Sequence, residues 1–391
     1  MPKPTFALSH IAAAIAALLV AYGSAAVIVY QAATSFGANT AQIGSWFTSL
    51  SLACGTLTLF LSYRYKAPIM VAWCTPGAAL MVGIQGIHLP EAIAAFMFAG
   101  ALMLFISVTG LFNRLVSLIP KTLASAMLAG ILINFGAKVF VGMEHQTLLV
   151  AMMLLTYLIS KIRYARYSLL FMLLIGFTTA YQLDLLAIEK LTWRAPELVW
   201  VTPDFNFQVM ISVGIPLFIT SLVTQNVPAI TILRMHGYTH VPDKPLVTWS
   251  SIGTLLMAPF GAFKINLAAI SSAITMGSDV DPDSHKRYIA NIWLAVFYFI
   301  VACFGGAVVS LFNALPEELL LSLAGIAIFG TLTNNITQAW SDESTREASL
   351  ITLLTSASGM TLLGIGSAFW GLLFGLMVYH LNHYIETKKR A

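Results

Sequence analysis

The chain has 391 residues, of which 58% are apolar and only 9% are Asp, Glu, Lys or Arg, against about 25% charged in an average soluble protein. A surface with so few charges would aggregate in water unless lipid covered it, which sets aside a soluble enzyme, a secreted disulfide scaffold and a nucleic-acid binder. The net charge of +4 comes from 20 Lys and Arg spread along the whole chain, a distribution that fits membrane topology better than a basic binding face.

In chain order, the first apolar window covers about 10–30 and follows a short tail containing Lys3. It is long enough to cross a bilayer and reads as a retained first span, not a cleaved signal. Further windows cover about 43–62, 92–112, 120–136, 147–160 and 167–183. The polar stretch 184–206, with Trp193, Pro196, Trp200 and Pro203, divides the chain into nearly equal halves and reads as a linker. After it come 208–228, 246–258, 288–312, 318–335, 348–364 and 367–385. Two more apolar segments, 68–84 and 259–276, contain residues unsuited to a continuous helix. With them the expected fold is an all-α polytopic membrane protein of 14 membrane segments.

Basic residues orient these spans. Arg64/Lys66, Arg114/Lys121, Lys161/Arg163/Arg166, Arg234/Lys244 and the tail Lys388-Lys389-Arg390 fall on one side, which places both termini in the cytoplasm. The loops 277–287 and 336–347, on the same side, are rich in acids and run against the rule.

The halves also resemble each other. Leu111-Phe112-Asn113 recurs as Leu311-Phe312-Asn313, Pro120 as Pro316, and Leu128-Ala129-Gly130-Ile131 as Leu323-Ala324-Gly325-Ile326. Ala67-Pro68 recurs as Ala258-Pro259, and Gln31 as Gln225. All five matches keep the same order, at offsets between 191 and 200. Seven spans per repeat is odd, so the second repeat is inverted in the membrane, a signature of secondary transporters.

The repeat pairs the two broken segments. In the first, Trp73-Cys74-Thr75-Pro76-Gly77-Ala78, Pro76 disfavours helix before it, Thr75 is a cap candidate, and Gly77 and Ala78 permit close approach. In the second, Phe263-Lys264-Ile265-Asn266-Leu267-Ala268, Asn266 is the natural cap. An extended stretch followed by a short helix is expected in each, with both helix N-termini facing one cavity at mid-membrane. Such an end stabilises an anion by up to ~2 kcal/mol when partly buried.

No Asp, Glu or His falls in the middle of a span, and Cys54, Cys74 and Cys303 form no CxxC pair and read as buried hydrophobes. No constellation for catalysis or metal binding is present, so neither an enzyme nor a metal cofactor is expected. Buried amides most often join helices, but Gln225 and Asn226 precede Val227-Pro228 and match Gln31 across the repeat. Lys264 either snorkels or adds positive charge to the anion cavity.

These residues resemble the bacterial benzoate transporter family (BenE type). The resemblance is carried by Trp73 to Leu80, by Ser221 to Pro228 with its Gln-Asn-x-Pro, by Asn266 to Ile270, by Ala126 to Leu132 and by Gly364 to Gly371. It covers essentially the whole chain. It implies benzoate:proton symport across the bacterial inner membrane, with the proton as coupling ion. The implied fold is shared with nucleobase and sulfate/bicarbonate transporters: seven-plus-seven inverted repeats, a core domain and a gate domain. It also implies, by analogy, a possible homodimer. Nucleobase transporters of that fold bind substrate with acids in the eighth and tenth spans, where this chain offers Gln225, Asn226 and Asn266. Lys264 departs from the family, which places a small residue there.

The expected core is then 1–112 with 207–312, and the gate 113–183 with 313–391. The expected substrate site is Trp73, Thr75, Pro76, Gly77, Ala78, Gln225, Asn226, Asn266, Leu267 and Ala268, with Tyr30, Gln31, Phe263 and Lys264 as further candidates. Trp73, Phe263 and Tyr30 are the candidates for an apolar wall against the substrate ring. Another anion or a nucleobase is the alternative cargo; a membrane enzyme or a passive channel is the weaker alternative.

Overall fold

The computed structural model describes residues 8–390 apart from 83, 85, 113–118, 165–167, 188, 190–194, 270 and 364. Lys3, Asn113, Arg114, Arg166, Trp193, Ile270 and Gly364, used above, lie outside the described residues. Helix α1 covers Leu8–Ser35 and α2 Thr40–Tyr65. A capping box starts α2: Asn39 Oδ1 accepts from the Gln42 N–H at 3.0 Å and Gln42 Oε1 accepts from the Asn39 N–H at 2.9 Å. Strand β1 (Val71–Trp73) leads into the short helix α3 (Thr75–Val82), followed by α4 (Leu89–Val108), α5 (Lys121–His145), α6 (Thr147–Tyr164) and α7 (Ser168–Gln182).

The second half opens with α8, Phe207–Met235. It contains two π-turns, Met210–Gly214 and Leu222–Asn226. Each lies just before a proline, Pro216 and Pro228. Proline has no N–H and its ring crowds the carbonyl four residues back, so the chain widens by one residue instead of keeping the α ladder. The Val227 N–H accordingly reaches Leu222 O.

Then come α9 (Asp243–Met257), a 3₁₀ turn (Ala258–Phe260), β2 (Ile265–Leu267), a second 3₁₀ turn (Ser271–Thr275), α10 (Tyr288–Ala302), α11 (Gly305–Ala314), α12 (Glu317–Ala327) and α13 (Phe329–Ala339). The chain closes with α14 (Arg346–Ala357), a small hairpin of β3 (Thr361–Leu362) and β4 (Ile365–Gly366), and α15 (Ser367–Arg390).

Among the described residues six helices are long and apolar enough to cross a membrane, or seven when the bent pair α10–α11 counts as one span. The chain is thus a multi-pass membrane protein of mainly helical architecture. Two expected spans differ in detail. The window 288–312 is bent by 63° between α10 and α11, where a Cβ on Gly305 would lie 2.3 Å from Thr48 Oγ1 and one on Gly44 3.5 Å from the Gly306 Cα. At that crossing Gly305 is the position that needs glycine, since its Cβ would also fall 2.7 Å from Gly44 O. The window 348–364 is a shorter helix followed by the β3–β4 hairpin.

The core gathers round the two crossing strands. Trp46, Phe96 and Phe263 form an aromatic triangle with centroids 5.7, 5.9 and 6.1 Å apart. Trp46 packs over Gly261, whose φ is +98° and whose missing Cβ would sit 1.6 Å from the indole ring. The described residues 195–206 are bonded to both halves. Val199 N–H donates to Ser45 Oγ at 2.9 Å, Val201 N–H to Pro259 O at 2.8 Å, and Asn206 Nδ2 to Glu91 Oε1 at 2.8 Å.

Candidate functional site

A two-stranded sheet inside an apolar protein must satisfy its outer edges without water. β1 and β2 run antiparallel, with Val71 opposite Leu267, Ala72 opposite Asn266 and Trp73 opposite Ile265. The Cys74 N–H to Lys264 O (3.0 Å) and the Ala268 N–H to Met70 O (2.9 Å) extend the ladder by one bond at each end. On the outer edge of β1 the Val71 N–H donates to Thr58 Oγ1 at 3.0 Å and the Ile69 N–H to Ser62 Oγ at 3.2 Å, both from α2. On the outer edge of β2 the Ile265 N–H donates to Thr254 Oγ1 of α9 at 3.0 Å, and the Leu267 N–H to Asn226 Oδ1 of α8 at 3.1 Å.

Cys74, not Thr75, holds the N-cap position of α3: the helix starts at Thr75, and its first bond runs from the Ala78 N–H to Cys74 O at 2.8 Å. Pro76 takes the second helical position, where a missing N–H costs nothing. A Cβ on Gly77 would come within 2.4 Å of Leu217 Cδ1, so α3 packs closely on α8 there. The second broken segment departs from expectation. Asn266 sits in mid-strand, and the turn after it is 3₁₀, beginning at Ser271. The strand pairing claims the backbone of 265–268, so Asn266 cannot act as a cap.

A cavity of about 540 Å³ lies beside the two broken segments. Of the expected site residues, Trp73, Thr75, Pro76, Gln225 and Ala268 line it. Trp73 is its aromatic side chain and is held edge-on by Tyr22 at 4.7 Å. The other nine lie outside the lining, each for a packing reason. Gly77 and Ala78 face the protein interior at the start of α3. Leu267 is 2% exposed and forms part of the sheet.

Asn226 and Asn266 are fully buried and bonded to the scaffold. Besides the Leu267 N–H, Asn226 meets Ser221 Oγ at 3.4 Å, and Ser221 Oγ donates to Asn266 Oδ1 at 3.1 Å. This chain of three side chains ties the π-turn of α8 to β2. Tyr30 turns away towards α11, donating to Asn313 Oδ1 at 2.7 Å and packing on Phe312. Gln31 keeps its Oε1 buried without a protein partner among the described residues. Phe263 belongs to the aromatic triangle. Lys264 is fully buried and donates from Nζ to Ile265 O at 3.1 Å. It therefore neither snorkels nor reaches the cavity.

The lining also contains residues that sequence reasoning did not select: Lys121 and Ser125 of α5, Thr224 and Thr231 of α8, Ser271, and Thr331, Asn334, Asn335 and Gln338 of α13. The α13 set had a usable signal, since its positions i, i+3, i+4 and i+7 share one helix face. Among the described residues Lys121 is the only charged one in the lining, and no Asp, Glu or His is present there. Such a site offers an apolar ring wall, neutral hydrogen-bonding groups and positive potential, which fits an anion and repels nothing negative.

A family model described as benzoate membrane transport protein matches residues 4–381. The chain is 38% identical over 391 residues to the inner membrane protein YdcO of Escherichia coli strain K12, covering 100% of this chain and 98% of that one. It is 35% identical over 380 residues to the benzoate membrane transport protein of Acinetobacter baylyi, covering 97% and 96%. Among solved structures, the transmembrane domain of a cyanobacterial bicarbonate transporter, BicA, shares the fold with a TM-score of 0.56 at 13% identity, covering 96% of each chain.

Proposed function

The chain belongs to the benzoate membrane transport family, and from that premise we propose that it is a secondary active transporter of benzoate or a closely related aromatic carboxylate, working in the bacterial inner membrane. The observation that carries this reading is the cavity between the broken segments. Trp73, Thr75 and Pro76 at the N-terminal end of α3, and Gln225 line it, and no acid is among its described lining residues. A benzoic acid with a pKa of roughly 4 is ionised at neutral pH, and a helix N-terminus stabilises that charge. A nucleobase would lose the acidic partners that its ring nitrogens need.

In this reading the chain has 14 membrane segments in two inverted halves. The support is the matched use of Thr58 and Thr254 on Val71 and Ile265: the two threonines are 196 residues apart and the two strand residues 194, within the offsets of the sequence repeat. The segments beyond the seven long helices are the two broken ones together with α6, α7, α9, α14 and α15. Core (1–112, 207–312) would move against gate (113–183, 313–391) around the central cavity. Both termini are cytoplasmic, the cavity mouth at Lys121 and Gln338 opens on that side, and two chains associate as a homodimer. The coupling ion is a proton, carried by the substrate. A neutral acid avoids moving a net charge through low dielectric, and the absence of Asp, Glu and His among the described lining residues supports this route. Uptake of labelled benzoate into vesicles containing the protein tests the reading. Benzoate and ring-substituted benzoates should compete, whereas uracil and sulfate should not; competition by sulfate or uracil alone would transfer the site to another cargo.

A further inference from the structure

The cavity is larger than one single-ring acid requires. About 540 Å³ lies in the range that takes drug-sized ligands, so a carboxylate seated against Trp73 fills only part of it. The lining contributed by α5 and α13 differs in character from that of the broken segments. Asn334, Asn335 and Gln338 bring three amides to one face of a helix that continues an apolar span. Asn335 Nδ2 donates to Thr331 O at 2.7 Å and Gln338 Nε2 to Ser341 Oγ at 3.1 Å. Each amide nitrogen carries two hydrogens, so each keeps one for another acceptor.

Lys121 shares this lining with the amides. It is exposed and occupies the first position of α5, directly after Pro120. The positive end of a helix disfavours a cation, and a residue set against its local preference marks a position held for function. Ammonium and helix end add their potentials, and the amides contribute donors without adding an acid.

We propose that the α5–α13 wall of the cavity is a second carboxylate subsite, in which Lys121 pairs with the anion and Asn334, Asn335 and Gln338 donate to it. The subsite rests on the reading of the central cavity as a site for aromatic carboxylates. It concentrates the anion in the wide mouth of the cavity, next to the position from which it crosses.

The test is equilibrium binding of labelled benzoate to the full-length chain in nanodiscs at low and high salt. The wild type should bind two benzoates per chain, the weaker one lost as salt screens Lys121. Lys121→Gln should bind one, and Lys121→Arg two. The double variant Asn334→Leu, Gln338→Leu, which keeps the charge, should weaken the second site by about tenfold or more. A wild type that saturates at one per chain, or a Lys121→Gln protein that still binds two with unchanged salt dependence, overturns the subsite and leaves the central reading standing. A wild type that binds no benzoate overturns both.

Discussion

Asn226→Leu separates a residue that touches the substrate from one that positions the site. Asn226 is fully buried, and its Oδ1 accepts the Leu267 N–H at 3.1 Å. Leucine keeps the bulk but removes the acceptor. The Leu267 N–H points outward from the sheet edge into an apolar interior, where water cannot replace the lost partner. A buried donor left unsatisfied costs about 1–3 kcal/mol. That strain falls on β2 and on Ala268, which lines the cavity. If the bound state needs β2 in place, benzoate affinity drops by roughly 5- to 150-fold. The companion variant is Gln225→Leu, one residue earlier, whose side chain faces the cavity. The assay is benzoate binding in nanodiscs together with thermal unfolding in detergent. Asn226→Leu should lose affinity and melting temperature together, whereas Gln225→Leu should lose affinity alone. An Asn226→Leu protein that melts like the wild type but no longer binds would show that Asn226 contacts the substrate directly, and the positioning argument would fail.

Gly261→Ala should unfold the protein or sharply cut its yield, because φ is +98° and the new methyl would fall inside the Trp46 ring; a wild-type melting curve would contradict the packing described. Lys264→Met should keep or raise the melting temperature, since it removes a fully buried amine that has no carboxylate partner among the described residues. A large drop there would mean that the bond to Ile265 O holds the strand pair. Uptake should accelerate as external pH falls towards the benzoic acid pKa of roughly 4, and should do so in every single Asp, Glu and His variant. One such variant that transports without pH dependence would identify a protein-borne proton relay and overturn the substrate-carried route.

Composition alone identified a membrane protein, because no arrangement of so few charges can cover a water-soluble surface of this size. Local chemistry also located the two broken segments, since Thr75-Pro76 and Pro259–Gly261 each oppose a continuous helix wherever the chain folds. Their motifs carried the family resemblance. Which side chains face the cavity was decided only by the tertiary structure. Gln225 and Asn226 are neighbours with the same amide group, three and two residues before Pro228, yet one lines the cavity and the other holds a strand. The π-turn sets how far the helix rotates there, and the strand edge beside it claims whichever amide it meets. In the same way Asn266 loses its capping role to the pairing with β1, a contact made with a residue nearly two hundred positions away. Lys121 and the amide face of α13 come from the other end of each half of the chain. Their meeting at one cavity depends on how whole helices pack, which short-range pattern does not encode.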